Sequence, residues 1–182
     1  MLVEAPFVVA VSRDGLHRFS KEPQESIELV EDLGVRGDAH AGTLVQHRSR
    51  VRRDPNQPNL RQVHLLQSDW LREAREAGHD VVPGSMGENV LTDGIDLLSL
   101  PEGTRLRLGD ALVRITGLRN PCRQINDFSP GLLQLAVRRV DGVAIERRTG
   151  VMSVVERGGT VREGAPIRVE LPDGPHSPLK AV

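Results

Sequence analysis

The chain has 182 residues, a length typical of one domain, and we take residues 1–182 as a single domain. Lys and Arg number 24 and Asp and Glu 25, so a net charge of -1 offers no overall field for nucleic acid or acidic membranes. Aromatic residues make up only 2% of the chain, which leaves almost nothing on which unpaired bases could stack. The sequence therefore predicts a protein that binds neither nucleic acid nor membrane.

A single cysteine and the N-terminal residues indicate the compartment. A single cysteine excludes an internal disulfide, an iron–sulfur cluster held by four local thiolates and any Cys-x-x-Cys motif. It fits a reducing environment. The first residues carry an acid, Glu4, where a signal peptide carries positive charge, and no apolar stretch is long enough to span a membrane. We expect a cytoplasmic protein.

The first third of the chain combines short strands with a long irregular segment. Residues 7–12 form a β-branched run, and residues 26–30 alternate apolar and polar side chains, so both predict strands. From Gly34 to Asn59 the periodicity disappears, and the segment contains five arginines between Arg36 and Arg53. A loop of this length in a compact domain is either functional or disordered, and this rule alone leaves both interpretations open.

The middle third predicts one helix and a β-hairpin. Residues 62–66 indicate a strand, and Ser68 is expected to cap a helix that runs through Ala77 and stops at Gly78. A further strand is predicted over residues 88–92. Two more strands, over 105–108 and 111–116, flank the two-residue turn of Gly109 and Asp110.

The last third predicts a second helix followed by more sheet. The helix is expected over residues 131–140, and strands over 151–155 and 166–171 lie on either side of a turn at Gly158 and Gly159. The tail 172–182 is rich in turn residues and is expected to be loosely held. About seven short strands with two inserted helices favour a closed or nearly closed β-barrel over a doubly wound sheet.

The cysteine lies where a reactive thiol is expected. The run Arg119-Asn-Pro-Cys122 follows a predicted strand, which places Cys122 at the rim of a barrel. Arg119 and Arg123 on either side would favour the thiolate, the form that binds metal or carries sulfur. A buried structural cysteine is the alternative, and the sequence leaves the two about even.

Two loop segments carry groups that could meet a ligand. Residues 34–42 contain three glycines with Asp38 and His40, so backbone amides could approach a phosphate while Arg36 binds it, although an ordinary surface loop is the alternative. Glu88 and Asn89 could orient a ligand or cap the neighbouring loop.

Other known site patterns are weak or missing from the sequence. It contains neither Gly-x-Gly-x-x-Gly nor a P-loop. A zinc site built from Asp38, His40 and His64 is disfavoured because the histidines lack ligand spacing, and His64 is expected to be a strand residue with a satisfied hydrogen bond.

Seven motifs in order along the chain resemble the small stand-alone bacterial branch of the MOSC (molybdenum cofactor sulfurase C-terminal) family. They are Gly37-Asp-Ala-His40, Arg61-Gln-Val-His-Leu-Leu66, Pro83-Gly-x-x-Gly-Glu-Asn89, Gly94-Ile-Asp96, Leu106-Arg-Leu-Gly109, Arg119-Asn-Pro-Cys122 and Gly158-Gly-x-Val-Arg162. The resemblance covers nearly the whole chain. It departs at Gly164-Ala165, where the family usually has Gly-Asp.

The resemblance implies a mainly β fold, a MOSC-type barrel similar to the pyruvate-kinase β-barrel with a few inserted helices. It also implies a pocket in which a cysteine sulfur ligates the molybdenum of a molybdenum cofactor (molybdopterin). Carried over by position, Cys122 is the catalytic residue and metal ligand. The residues expected around cofactor or substrate are Gly37, Asp38, His40, Arg61, Gly87, Glu88, Asn89 and Arg119. Lys21 matches an early family lysine.

The implied function is that of a molybdenum-dependent oxidoreductase that reduces small N-hydroxylated or N-oxygenated compounds. A sulfur carrier that holds a persulfide on Cys122 and a non-catalytic cofactor-binding module remain alternatives. None of the extra domains of larger family members is recognised in these 182 residues, so a separate electron-donor protein is expected. Its docking site is predicted at a set of arginines: Arg36, Arg48, Arg50, Arg52, Arg53, Arg119 and Arg123.

Overall fold

The computed structural model describes residues 5–142 and 144–182, which are mostly strands joined by loops. The strands are β1 (Phe7–Arg13), β2 (Glu22–Gln24), β3 (Ser26–Val30), β4 (Gly34–Val35), β5 (Val63–Gln67), β6 (Val90–Asp93), β7 (Arg105–Leu108), β8 (Ala111–Leu118), β9 (Val137–Val140), β10 (Ala144–Arg147), β11 (Val151–Arg157), β12 (Gly159–Arg162) and β13 (Ile167–Glu170). The helices are α1 (Arg48–Val51), α2 (Ser68–Glu76), α3 (Gln124–Phe128) and α4 (Leu133–Ala136), with a 3-10 turn at Leu97–Ser99.

Eight strands form the main sheet, in the order β13-β7-β8-β11-β5-β6-β1-β2. The strands pair antiparallel except β5 and β6, which are parallel. The sheet curls so that the segment before β13 reaches β1: the Val8 amide donates to the Ala165 carbonyl, and the Gly164 amide donates to the Val8 carbonyl. A single isolated bridge joins Phe7 to Pro166. The sheet therefore approaches closure between the segment before β13 and β1, the strand next to its other edge, through a few hydrogen bonds and without a full ladder. This confirms the predicted mainly β, barrel-like fold.

The core follows the alternation of the strands. In β3, Ile27 and Leu29 are buried while Ser26 and Glu28 are exposed, as expected for a strand with one face on a core. A second apolar cluster lies under α2, where Trp70, Leu71 and Ala74 pack with residues of α3 and α4. The short strands β12 and β4 flank β3 in a separate three-stranded sheet.

The helix predicted over 131–140 is wrong in its second half. The helix α4 ends at Ala136, and the next four residues are strand β9, paired antiparallel with β10. The missed signal is the Asp141-Gly142 pair after β-branched Val140: both residues have positive φ, 52° and 73°, which an Asp-Gly pair adopts readily at a hairpin end. The segment predicted as one helix is therefore divided between the helix α4 and the strand β9.

The turn predicted at Gly158 and Gly159 does not join paired strands. Gly159 begins β12, which pairs with β3, while β13 pairs with β7. A Cβ at Gly159 would lie 2.8 Å from the Ala111 amide nitrogen, and one at Gly158 would lie 2.9 Å from the Leu29 carbonyl oxygen. These glycines therefore allow neighbouring main chains to approach closely, which sequence patterns do not distinguish from a turn.

Two helix and loop predictions also need correction. Ser68 is the first residue of α2 and not its cap, because β5 runs directly into the helix through Gln67, and the buried Ser68 hydroxyl has no hydrogen-bond partner among the described residues. The long segment from Gly34 to Asn59 contains β4 and α1 and is otherwise loop.

Among the described residues, no helix has the length and apolar character needed to cross a membrane.

The end of the chain is attached to the sheet, in contrast to the predicted loose tail. The Leu118 amide donates to the Lys180 carbonyl at 2.8 Å, and the Val182 amide donates to the Leu118 carbonyl at 3.2 Å. Leu179 packs against the main core. The turn-rich residues 172–178 are mostly exposed, and the Glu102 amide donates to the Ser177 carbonyl at 2.9 Å.

We expect Gly150→Ala to lower the free energy of unfolding by about 2–5 kcal/mol. Gly150 has a φ of +83°, and a Cβ there would collide with the Leu65 carbonyl and approach the Leu66 Cα at 3.1 Å, all main chain of β5. Urea denaturation measures the loss. The matched control is Gly164→Ala, which has a φ of +79° and nothing within 4 Å, so only about 1 kcal/mol of backbone strain is expected. Equal losses would show that contact with β5 has no effect.

Candidate functional site

A pocket of about 900 Å³ opens where four loop segments meet beside β5 and β11. Its floor includes His64 of β5 and Met152 of β11, which are paired across the two strands. The β1–β2 loop, the long β4–β5 loop, the segment before β6 and the segment after β8 supply the rest. Residues far apart in the chain therefore share one cavity.

The pocket lining is cationic. Among the described residues, nine Lys or Arg and four His line it, and no Asp or Glu does. The cations are Arg18, Lys21, Arg48, Arg50, Arg52, Arg53, Arg61, Arg119 and Arg123, and the histidines are His17, His40, His47 and His64. A concave site with charges of one sign concentrates the field, so this pocket attracts anionic ligands although the chain as a whole is nearly neutral.

Two arginines in the lining carry buried donors without an acceptor in the described part of the chain. They are Nε of Arg61 and Nη1 of Arg119. Burial, with the charges of Arg50 and Arg119, lowers the pKa of Arg61 to about 10, and burial also lowers the pKa of Arg119. Both side chains remain charged at neutral pH. Buried donors are almost always paired in proteins, so these guanidiniums suit a ligand that brings acceptor oxygens.

Three lining residues of the pocket are apolar. They are Phe19, Met86 and Met152, and the Arg119 guanidinium lies 5.8 Å from the centroid of the Phe19 ring. Thioether and aromatic surfaces pack well against flat conjugated rings. The pocket therefore combines a surface for a planar group with many positive charges.

Cys122 lies at the pocket and is exposed, which excludes the alternative of a buried structural cysteine. It follows Pro121 in the segment between β8 and α3, and β8 extends to Leu118, two residues beyond the predicted end at Thr116. Its sulfur lies 3.5 Å from Oε1 of Gln124. The thiol is thus presented to the cavity by a loop at the end of a strand.

A buried ion pair joins Lys21, which lines the pocket, to Asp38, which lies behind the lining. The Lys21 ammonium is 2.8 Å from Oδ2 of Asp38, and these side chains are 4% and 0% exposed. Nδ2 of Asn89 donates to the same oxygen at 3.1 Å, and the His40 amide donates to Oδ1 at 2.9 Å. Although burial alone would raise the pKa of Asp38, the hydrogen bond from His40 and the charge of Lys21 hold it well below its usual value.

Glu88 caps the loop before β6 and does not face the cavity. Its Oε1 accepts a hydrogen bond from the Gly84 amide at 2.5 Å, and its Oε2 accepts one from the Met86 amide at 3.1 Å. Burial raises the pKa of Glu88 to about 7. Of the two roles left open by the sequence, capping is therefore correct for Glu88. Asn89 both lines the pocket and accepts a hydrogen bond from the His64 amide through Oδ1.

A model of the MOSC domain family matches residues 40–168, well over half of the chain. The chain belongs to the MOSC family. Protein YiiM of Escherichia coli strain K12 is 32% identical over 98 residues, which cover 54% of this chain and 41% of YiiM. The aligned region thus spans less than half the length of that relative. The MOSC family is associated with binding of the molybdenum cofactor.

Solved structures show the same fold. The YuaD protein from Bacillus subtilis superposes with a TM-score of 0.73 and 23% identity over 96% of this chain and 97% of that chain. YiiM from Escherichia coli superposes with a TM-score of 0.59 and 20% identity over 93% of this chain and 72% of that one. YiiM from Geobacillus stearothermophilus gives a TM-score of 0.59 at 15% identity, covering 91% and 75%.

The structure brings six of the nine predicted site residues of this MOSC protein to the pocket: His40, Arg61, Gly87, Asn89, Arg119 and Cys122. Three predicted site residues do not line it. Asp38 and Glu88 are buried behind the lining, and Gly37 is a turn residue with a φ of +76° packed against Arg13. Arg36, expected to bind an anion, instead pairs with Glu28 on the surface at 2.6 Å.

The sequence did not indicate the apolar lining residues or two pocket histidines, His17 and His47. Nothing in the local sequence of Phe19, Met86 or Met152 distinguishes a pocket residue from a core residue, because apolar side chains of these types occur in both places. His64 was expected to be a strand residue with a satisfied hydrogen bond, and its Nε2 lies 2.7 Å from the Thr149 carbonyl oxygen. The same residue also lines the floor of the pocket.

We expect the free energy of unfolding to decrease as the pH is lowered from 6.5 to 5, and to decrease more steeply in the wild-type protein than in His47→Gln. Burial, with the charge of Arg61, lowers the pKa of His47 to about 2. Below about pH 6.5 the unfolded chain therefore binds a proton at His47, whereas the folded chain does not. Stability contributed by neutral His47 is present above pH 6.5 and decreases by about 1.4 kcal/mol per pH unit below it.

Other groups titrate in the same window, so the difference between the two proteins is the measurement. His40 and His64, whose pKa values burial also lowers, act in the same direction as His47, whereas the raised pKa of Glu88 acts in the opposite direction. Urea denaturation at several pH values gives the slope for each protein. Identical slopes in the two proteins would contradict a neutral, buried His47.

Proposed function

We propose that this MOSC protein binds the molybdenum cofactor in the cationic pocket and reduces small N-hydroxylated or N-oxygenated compounds, with Cys122 as the metal ligand. One observation carries the proposal: the exposed thiol of Cys122 stands at a pocket lined by nine Lys or Arg and by no Asp or Glu of the described chain. Thiolate is a soft ligand suited to molybdenum. The positive charges of the pocket suit the phosphate of the cofactor.

The residues present fit the cofactor. Arg61 and Arg119, whose buried donors lack acceptors among the described residues, would hold its phosphate. Phe19, Met86 and Met152 would cover a flat heteroaromatic ring. No group of three or more His, Cys, Asp or Glu suited to a metal occurs in residues 5–142 and 144–182, so Cys122 would be the protein's contribution and the cofactor would supply the other ligands. When bound, the cofactor supplies a metal that accepts and passes on two electrons.

A sulfur carrier is the second candidate, because it needs only an accessible thiol, which Cys122 provides. In that function Cys122 would hold a persulfide and no metal. A third candidate, a cofactor-binding module without turnover, would hold metal but would reduce no substrate. Metal content separates the sulfur carrier from the other two, and turnover separates those from each other.

We also propose a separate acidic electron-donor protein that docks at the pocket mouth. Arg48, Arg52, Arg53 and Arg123 are exposed there, and all four line the opening. Such a cluster attracts an acidic flavin or iron–sulfur protein, and the attraction weakens over a Debye length of about 8 Å at physiological salt. Arg36, which the sequence placed in this set, is paired with Glu28 and lies outside the pocket.

The decisive experiment is to purify the chain from a host that makes the cofactor and measure molybdenum. We expect close to one molybdenum per chain, and turnover of an N-hydroxylated purine with a chemically reduced viologen dye but not with NADH alone. Protein from a host that cannot make the cofactor is the control. Absence of molybdenum would overturn the proposed function, and rapid turnover with NADH alone would overturn the need for a donor protein.

A further inference from the structure

Reduction of an N–O bond consumes protons as well as electrons, and the pocket must deliver them. An N-hydroxylated amine, R–NH–OH, takes up two electrons and two protons to give R–NH₂ and water. Carboxylic acids, the commonest acids besides histidine, are missing from the described lining. The candidates are therefore the four pocket histidines.

Among these four, His40 is the one with a ring nitrogen at ion-pair distance from a carboxylate oxygen of the described residues. Its Nδ1 lies 3.3 Å from Oδ1 of Asp38. By contrast, Nε2 of His64 is occupied by the Thr149 carbonyl at 2.7 Å, and Nε2 of His17 by the Gln46 carbonyl at 3.2 Å. The ring of His47 lies 4.5 Å from that of His40, centroid to centroid, and flanks it.

The ionised state of Asp38 determines the tautomer of His40. Asp38 is fully buried at its carboxylate and paired with Lys21, so it accepts hydrogen bonds and donates none. Nδ1 of His40 must therefore carry the hydrogen. In the neutral ring, Nε2 then has the lone pair and lies on the side away from Asp38. The His40 side chain is 18% exposed and lines the pocket, and Nε2 forms no hydrogen bond with the described residues, so we assign Nε2 as the atom that meets a ligand.

We propose that His40 is the proton-transfer residue of this pocket, with Asp38 as the positioning residue that fixes its tautomer and Lys21 as the counterion that keeps Asp38 ionised. This inference rests on the proposed reductase function. Nε2 takes a proton from solvent and passes it to the departing hydroxyl oxygen as the N–O bond breaks. The electron pair would originate from the separate electron-donor protein, the second proton would end on nitrogen, and the oxygen would leave as water.

The groups around His40 make it an effective acid once it is protonated. Burial lowers the pKa of His40, and the charge of Lys21 and the ring of His17 act in the same direction, while Asp38 opposes them. An anion bound in the pocket adds negative charge next to Nε2 and favours protonation there. Proton uptake is thus expected to accompany anion binding.

A first test uses the cofactor-free protein and inorganic phosphate as the anion. Long-range ¹H–¹⁵N NMR spectra should show His40 as the Nδ1–H tautomer, and phosphate should raise the pH at which it titrates. In the double variant Lys21→Met with Asp38→Leu, which removes both buried charges and the acceptor oxygens together, the ring should lose its preference for Nδ1–H. A wild-type ring in the Nε2–H form, or an unchanged tautomer in the double variant, would overturn the proposed arrangement.

A second test uses cofactor-loaded protein with the viologen assay. We expect His40→Gln to retain molybdenum and to lower kcat by about 100-fold or more, with little change in KM and with loss of the wild-type pH profile. The control is His79→Gln, because His79 lies outside the pocket lining and its Nδ1 is 2.7 Å from the Ser129 hydroxyl oxygen. Its kcat should stay within about threefold of wild type, a range set by ordinary surface substitutions.

Failure of the proposed function and failure of the inference about His40 give different results. A wild-type chain that holds no molybdenum would overturn the proposed function and, with it, proton delivery by His40. A loaded wild type whose His40→Gln counterpart turns over at the same rate and with the same pH profile would overturn only the role of His40.

Discussion

Replacing Cys122 with Ala is expected to abolish molybdenum retention while leaving the free energy of unfolding within about 0.5 kcal/mol of wild type. The side chain is exposed, and its one hydrogen bond to a described residue is a long one to Gln124, so we expect the fold not to depend on it. The metal, by contrast, would lose its one protein ligand. Elemental analysis of the purified protein and urea denaturation of the same sample measure the two effects.

Cys122→Ser is the matched variant for this prediction. The hydroxyl keeps the size and position of the thiol but not its soft thiolate, so we expect metal loss close to that of the Ala variant. Stoichiometric molybdenum in either variant would show that another group holds the metal. Metal-free wild-type protein with a persulfide on Cys122 would favour the sulfur carrier instead.

Lys21→Met is expected to lower the free energy of unfolding by about 3–5 kcal/mol. Lys21 is the cation closest to the buried Asp38 carboxylate, 2.8 Å away, and its removal leaves that charge in a site shielded from water. Asn89 and His40 would still donate hydrogen bonds to Asp38, but neither supplies a full charge. Urea denaturation at pH 7 measures the loss.

The double variant Lys21→Met with Asp38→Asn separates charge from packing. Removing both charges should restore most of the stability lost in Lys21→Met, because the unpaired carboxylate causes the loss. If the double variant is as unstable as the single one, the methylene packing of Lys21 and not its charge is what matters. A single variant within about 1 kcal/mol of wild type would contradict the importance of the ion pair.

Local patterns predicted much of the sheet. The strand over residues 26–30 and the hairpin over 105–116 follow from alternation and from the Gly109-Asp110 turn, and both are present. The error over residues 131–140 has a physical cause: from Leu133 to Val140 apolar residues alternate with polar or basic ones at spacings that suit a helix, yet the chain changes element at Val137. Pairing with β10 decides this change, and that pairing is formed by a later part of the chain.

The candidate site was predictable where it depends on motifs. The order of seven short motifs identified the family, and Cys122, Arg119, Arg61 and His40 do lie at one pocket. Motifs did not separate residues that line the pocket from residues that support them. Asp38 and Glu88 belong to the same motifs as their neighbours, but their carboxylates turn inward to Lys21 and to main-chain amides.

The sequence by itself determined the alternation that makes the chain mainly β, and the family through its ordered motifs. Only the tertiary structure decided the exposure of Cys122, which the sequence left open, and the charge of the site. With 24 basic and 25 acidic residues the chain is nearly neutral, yet three distant segments around residues 18–21, 48–61 and 119–123 bring nine cations to one cavity. Electrostatic potential depends on the distances between charges, and the fold sets those distances.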